Sequence, residues 1–165
     1  MGRPVKKSTT SRISRALMTA LTVLLIFLMF DIMSIVADIQ GTARVVNYAG
    51  LVRGTTQRIV KLEDAHIPQD KLIENVDSFI DGLRYGSDDL NLVSLPDEAF
   101  QAKMAELDGS FDVLRSEIGR VREVGYENTS IIEMSESFFG ICDEATKLAE
   151  KYSQEKATAL RTLEN

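Results

Sequence analysis

Between Phe100 and Val121 the chain reads FQAKMAELDGSFDVLRSEIGRV. Its apolar residues Phe100, Met104, Leu107, Phe111, Leu114, Ile118 and Val121 recur at alternating steps of four and three. A helix turns about 100° per residue, so this spacing gathers them into one stripe, the seam of a helix packed lengthwise against others. The stretch opens near Pro96, a favourable first helical residue, and Asp97 and Glu98 place negative charge at the helix start.

The same period extends to both sides. Upstream, a helix is expected from Gln69 to Tyr85, with Leu72, Ile73, Val76, Phe79, Ile80 and Leu83 on its apolar face. Downstream, a fourth helix opens near Ser130, with Glu133 placed to complete a capping box. Its line runs through Ile131, Met134, Phe138, Ile141, Ala145, Leu148 and Tyr152, then Ala159 and Leu163. Another helix fills Asp38 to about Glu63. Breaks rich in Gly, Pro and Asn fall at 65–69, 86–96 and 125–128. Four helices with short links and one stripe each predict an all-α fold, an antiparallel up-down four-helix bundle.

The N-terminal end has a different character. Residues 16–37 form a 22-position run whose one charged residue is Asp31, long enough to cross a bilayer core of about 30 Å. Residues 1–15 carry Arg3, Lys6, Lys7, Arg12 and Arg15 and no acid. The positive-inside rule then predicts a basic cytoplasmic tail over 1–15, a transmembrane helix over 16–37 and an extracytoplasmic domain over 38–165. The membrane helix is expected to continue directly into the bundle. A cleaved signal peptide is the rival reading. Cleavage after Ala37 would need a small residue where Ile35 stands. The fourth helix carries no stop signal before Asn165, so the natural chain is expected to continue to a second membrane span.

Composition narrows the function. Of 165 residues, 19 are basic and 25 acidic, and residues 38–165 alone have a formal charge of −10. Such a body disfavours nucleic acid as a partner. One Cys and one His exclude a disulfide scaffold and argue against a metal centre or cofactor site. No nucleophile–base pair, P-loop or dinucleotide fingerprint is present, so an enzyme is not expected. Cys142 reads as a small core residue and His66 as a loop histidine. Asp88, Asp89 and Asn91 lack the Gly and Glu spacing of a calcium loop. Asn128-Thr129-Ser130 matches a glycosylation sequon, which helix capping also explains.

The informative segment is 47–58, NYAGLVRGTTQR. Two faces can be drawn there. Val45, Ala49, Val52, Thr56 and Ile59 suit the chain's own core. Val46, Gly50, Arg53, Gln57 and Val60, one residue on, suit a second copy. Gly50 and Gly54 each cost about 1 kcal/mol in a helix interior relative to Ala, which close approach of another backbone or a ligand would offset. Arg53 lies between them and needs a counter-charge. Two copies meeting across a twofold axis would repel unless an anion lay between, and a planar oxyanion fits the guanidinium fork. Gln57 and Thr56 add donors. A bland alternative stands beside this, with Arg53 paired to an acid of helix two or four.

The pattern Asn47, Ala49, Gly50, Arg53, Gln57, Arg58 resembles the signature in the first sensor helix of nitrate/nitrite sensor kinases and type IV pilus methyl-accepting chemotaxis transducers. The resemblance covers six positions of one helix. It implies a dimeric extracytoplasmic bundle in the inner or plasma membrane, feeding a two-component or chemotaxis pathway. It also implies a small anion such as nitrate or nitrite at the dimer interface, held by the arginine matching Arg53 from each subunit, with backbone near Gly50. The expected ligand-binding residues are Arg53, Gly50, Gln57, Asn47 and Thr56. Two departures, Gly54 where the family commonly has Met and Tyr48 where it has an aliphatic residue, imply a wider pocket. The alternative to a sensing role is a membrane-tethered helical bundle that serves oligomerisation and binds no small ligand.

Overall fold

The computed structural model describes residues 8–163, with side chains over 12–159. Of the basic tail, residues 1–7 lie outside the described residues, and so do the Leu163 side chain and any continuation past Asn165. The chain is all helical: α1 (Ser8–Asp64), α2 (Asp70–Tyr85), α3 (Glu98–Val124) and α4 (Ile131–Leu163), with a short 3-10 turn at Tyr126–Asn128. It divides into two compact units, at Asp38 and Ile39.

The first unit is the N-terminal part of α1. Its apolar side chains face outward, Leu17 and Phe30 at 70% and 67% exposure. Thr19 and Thr22 donate to the carbonyls of Arg15 and Met18, each at 2.9 Å, so their hydroxyls are satisfied within the helix. Among the described residues, this is the helix long and apolar enough to cross a membrane.

The second unit is the four-helix bundle. All seven seam residues of α3 from Phe100 to Val121 are buried, as the spacing predicts. On α2, Ile73, Val76, Ile80 and Leu83 are buried and Leu72 and Phe79 flank them. On α1, Val45, Ala49, Val52, Thr56 and Ile59 are all buried. Phe111 of α3 meets Phe138 of α4 at 5.7 Å between ring centroids, and Tyr48 of α1 meets Phe79 of α2 edge-on at 5.1 Å.

Ion pairs record the antiparallel register. Asp70 pairs with Arg122 at 2.8 Å, Asp77 with Arg115 at 2.9 Å, and Arg84 with Asp108. Each step of seven residues up α2 is matched by seven down α3. Lys103 of α3 joins Glu144 of α4 at 2.7 Å. Burial, the α3 carboxylates Asp112 and Asp108 and the α2 carboxylate Asp81 push the Asp77 carboxyl above its usual range, against the pull of Arg115.

Several details differ from expectation. α3 begins at Glu98, not at Pro96: Asp97 caps the helix, its side chain accepting from the Phe100 N–H at 2.7 Å, and Pro96 stands outside. Glu133 does not close a capping box. Instead Glu117, reaching from α3, accepts from the Ser130 N–H at 2.7 Å. The buried line of α4 runs Ile131, Ser135, Phe138, Cys142, Ala145, Ala149, while Met134, Ile141, Leu148 and Tyr152 are half-buried at its side and Ala159 is exposed. Small residues let α4 pack closely there, and small residues carry little hydrophobic signal. The loop after α2 is also more ordered than a break. It closes on a backbone bridge between Ser87 and Leu92 and buries Leu92 and Leu95. A Cβ at Gly82 would stand 2.8 Å from Leu92 Cδ1, so the loop seats where a side chain is missing. His66 is exposed and takes a left-handed conformation, φ 60°, at the end of α1.

Two buried glutamates, one from each helical hairpin, close the same pole. Glu117 holds the start of α4. Glu63, 3% exposed, accepts from the Gln69 N–H at 2.8 Å and from Arg122 at 2.9 Å and 2.5 Å. Hydrogen bonding to Glu63 keeps the Arg122 guanidinium more firmly protonated than usual. Glu63→Ala removes the acceptor of the Gln69 N–H and leaves Arg122 only the exposed Asp70, and should cost about 3 kcal/mol in urea unfolding. Asp70→Ala, which removes the exposed partner of the same arginine, should cost under about 1 kcal/mol.

Cys142 is fully buried, and burial pushes its thiol from an ordinary 9.0 to about 12, with Asp143 adding and Arg53 opposing. Between those values the unfolded chain releases a proton that the folded chain retains. Stability should therefore fall as pH rises above about 9, by up to about 1.4 kcal/mol per unit from this group. Urea unfolding at stepped pH should show a steeper alkaline decline for wild type than for Cys142→Ala.

Candidate functional site

The α1 segment from Ile39 to Leu62 places four cations, Arg44, Arg53, Arg58 and Lys61, on one helix with no acid among them. The rest of the bundle carries the acidic excess. One side of the segment is consumed by the core. Thr42, Val45, Ala49, Val52, Thr56 and Ile59 are buried. The opposite side is exposed: Ala43, Asn47, Gly50, Gly54, Gln57 and Lys61, again at steps of four and three.

This places the expected residues unequally. Asn47, Gly50 and Gln57 lie together on the exposed face. Ideal Cβ atoms at Gly50 and Gly54 would meet nothing of the chain within 4 Å, so no contact inside the bundle accounts for either glycine. Thr56 is elsewhere. It is fully buried and its hydroxyl donates to the Val52 carbonyl at 2.8 Å, which turns it into the core and away from the other four. The outer seam is also rotated from the one expected. Val46 and Val60 are half-buried against the bundle's own core, and the small and polar residues beyond them form the open face. The valines drew the seam toward themselves because apolar periodicity weighs large side chains and passes over glycine.

Arg53 sits at the edge between these two sides. Its Nε lies 3.1 Å from Asp143 Oδ1 of α4, and the side chains are 42% and 49% exposed. The Nε is itself buried, yet among the described residues it has no hydrogen-bond partner. The guanidinium carbon stands 6.0 Å from the centroid of the Phe139 ring. The bland sequence reading allowed an acid of helix two or four, and helix four supplies it. Nothing in the spacing of α4 marked Asp143 among its several acids; the antiparallel register with α1 selects it. Two to three helical turns away along the same helices, a groove between α1 and α4 is lined by Ala43, Val46, Glu150, Ser153 and Gln154, and neither Arg53 nor Asp143 lines it.

The remaining candidates are placed as follows. Asp88, Asp89 and Asn91 belong to the bridged loop, where the Asn91 N–H donates to the Asp88 carbonyl at 3.1 Å. The Asn128 amide donates to Val124 O at 2.9 Å and the Thr129 hydroxyl to Tyr126 O at 2.8 Å, so the sequon residues shape the α3–α4 turn. Among the described residues no group of three or more His, Cys, Asp or Glu is placed to hold a metal ion.

The arrangement offers one half-exposed guanidinium with an incompletely satisfied donor, a face of small residues that another surface can approach closely, and amide side chains at Asn47 and Gln57. Comparison with protein-family models, with curated proteins and with solved structures finds no match to the chain.

Proposed function

We propose that residues 38–165 are the extracytoplasmic ligand-sensing input domain of a bacterial transmembrane signalling receptor. The span over 16–37 anchors it. Two copies associate through the exposed face of α1, and a small oxyanion such as nitrate or nitrite binds between them at Arg53, with Gly50, Gln57 and Asn47 alongside. The observation that carries this reading is the all-cationic α1 segment in an acidic domain, with its open side built of small residues around Arg53. Two like-charged helices attract only with a counter-ion between them, and an anion provides one. The likeness of the 47–58 segment to the nitrate-sensor signature points the same way. α4 is the antiparallel neighbour of α1, so a ligand that favours one packing of the α1 pair is read by α4 as a shift of about 1–2 Å.

A second reading is favoured by the Arg53–Asp143 pair. Arg53 is then a surface residue with its counter-charge already supplied, and the chain is a tethered bundle that oligomerises without a small ligand. Thermal unfolding of the membrane-reconstituted chain separates the two. In the sensing reading, nitrate at a hundred times its dissociation constant adds about 2.7 kcal/mol to stability, and Arg53→Ala abolishes that gain. In the tether reading, nitrate acts no differently from chloride, and Arg53→Ala costs under about 1 kcal/mol with or without it.

A further inference from the structure

Asp143 and Glu144 are adjacent on α4 and reach in different directions. Glu144 is held by Lys103 of α3 at 2.7 Å, and that bond keeps its carboxyl below the usual range. Asp143 faces Arg53 of α1 at 3.1 Å; the Nε at the contact is buried and makes no hydrogen bond, while the two side chains as a whole are half exposed. α4 is thus tied to α3 by a well-formed ion pair and, at the next residue, to α1 by a loose one. α3 is in turn laced to α2 by the three heptad-spaced pairs. A pairing that lacks fork geometry, made by side chains that are otherwise half exposed, is easily exchanged for another anion.

We propose that Asp143 is the resident counter-ion of the Arg53 anion site, holding the guanidinium in the ligand-free domain and giving it up when an oxyanion binds. The inference rests on the reading of Arg53 as an anion site. A carboxylate and a second anion compete for one guanidinium, so occupancy by the ligand releases Asp143. Release loosens α4 from α1 at the point where the ligand sits, while Lys103 keeps α4 on α3. Asp143 is a positioning residue and does not itself bind the ligand. It sets the threshold concentration, because the ligand must outcompete a tethered carboxylate.

The test is calorimetric titration of sodium nitrate into the full chain in bilayer discs, with sodium chloride as the ionic-strength control. Asp143→Asn, which removes the charge and keeps the size, should bind nitrate about fivefold more tightly than wild type. Asp143→Ser should shift in the same direction, which separates lost charge from the added amide. Arg53→Ala should bind none. Nitrate binding that needs Arg53 but is unchanged or weaker in both Asp143 variants overturns the counter-ion role and leaves the anion site standing. Absence of binding in wild type and in both Asp143 variants, or full binding in Arg53→Ala, overturns the two together.

Discussion

The seven apolar side chains of α3 between Phe100 and Val121 leave water together, and the other helices are arranged around that event. Each large buried side chain contributes about 1.5–3 kcal/mol, so the stripe as a whole is what ordering four helices draws upon. Burial alone does not choose a register, because a heptad seam slipped by one repeat still matches apolar to apolar. Charge supplies the choice. The Asp70–Arg122, Asp77–Arg115 and Arg84–Asp108 pairs align in one register, and a seven-residue slip sets each residue against a different partner. Individually such exposed pairs are weak, but a slip in one direction sets Asp77 against Asp108 and in the other Arg84 against Arg115, and each keeps at most one opposite-charge pair of the three. The buried pole is stricter, since Glu63 and Glu117 hold helix starts that no other acceptor replaces.

Much of this was legible in the sequence, for identifiable reasons. Element types followed from the 3.6-residue period, and the links followed from Gly, Pro and Asn clusters, with Gly86 and Gly125 taking the positive φ that ends α2 and α3. What period cannot convey is which distant residue satisfies a given group. The Glu133 capping box was a sound local reading. It gave way because Glu117, thirteen residues earlier in the chain, stands nearer the Ser130 N–H once α3 and α4 are packed. The line along α4 was misplaced by part of a turn for a related cause. Ser135, Cys142 and Ala149 lie at its centre, and they score poorly as hydrophobes although they allow the closest packing.

The candidate site was legible in part. Gly50, Asn47 and Gln57 fall on one open face, and Arg53 borders it, as a helix must place residues three and four apart. Thr56 satisfied the spacing of the core line as well as a place beside Gln57, and burial resolved it in favour of the core. The charge imbalance between α1 and the other helices is a sequence property that a whole-chain net charge of −6 conceals. Within the chain Asp143 of α4 supplies the acid that Arg53 meets, a pairing that the sequence of α1 alone does not reveal.

Self-association through the outer face of α1 is tested most directly by distances between copies in the bilayer. In a Cys142→Ala background, spin labels carried on Gly54→Cys in the full reconstituted chain report the separation of the two α1 helices. Packed helices lie 8–10 Å apart between axes, so labels on the facing sides should give a distance no greater than about 20 Å. Labels on Val113→Cys, at an exposed position of α3, should lie well beyond it. A short distance at position 113 with no dipolar coupling at 54 would contradict pairing through α1 and with it the ligand site at Arg53.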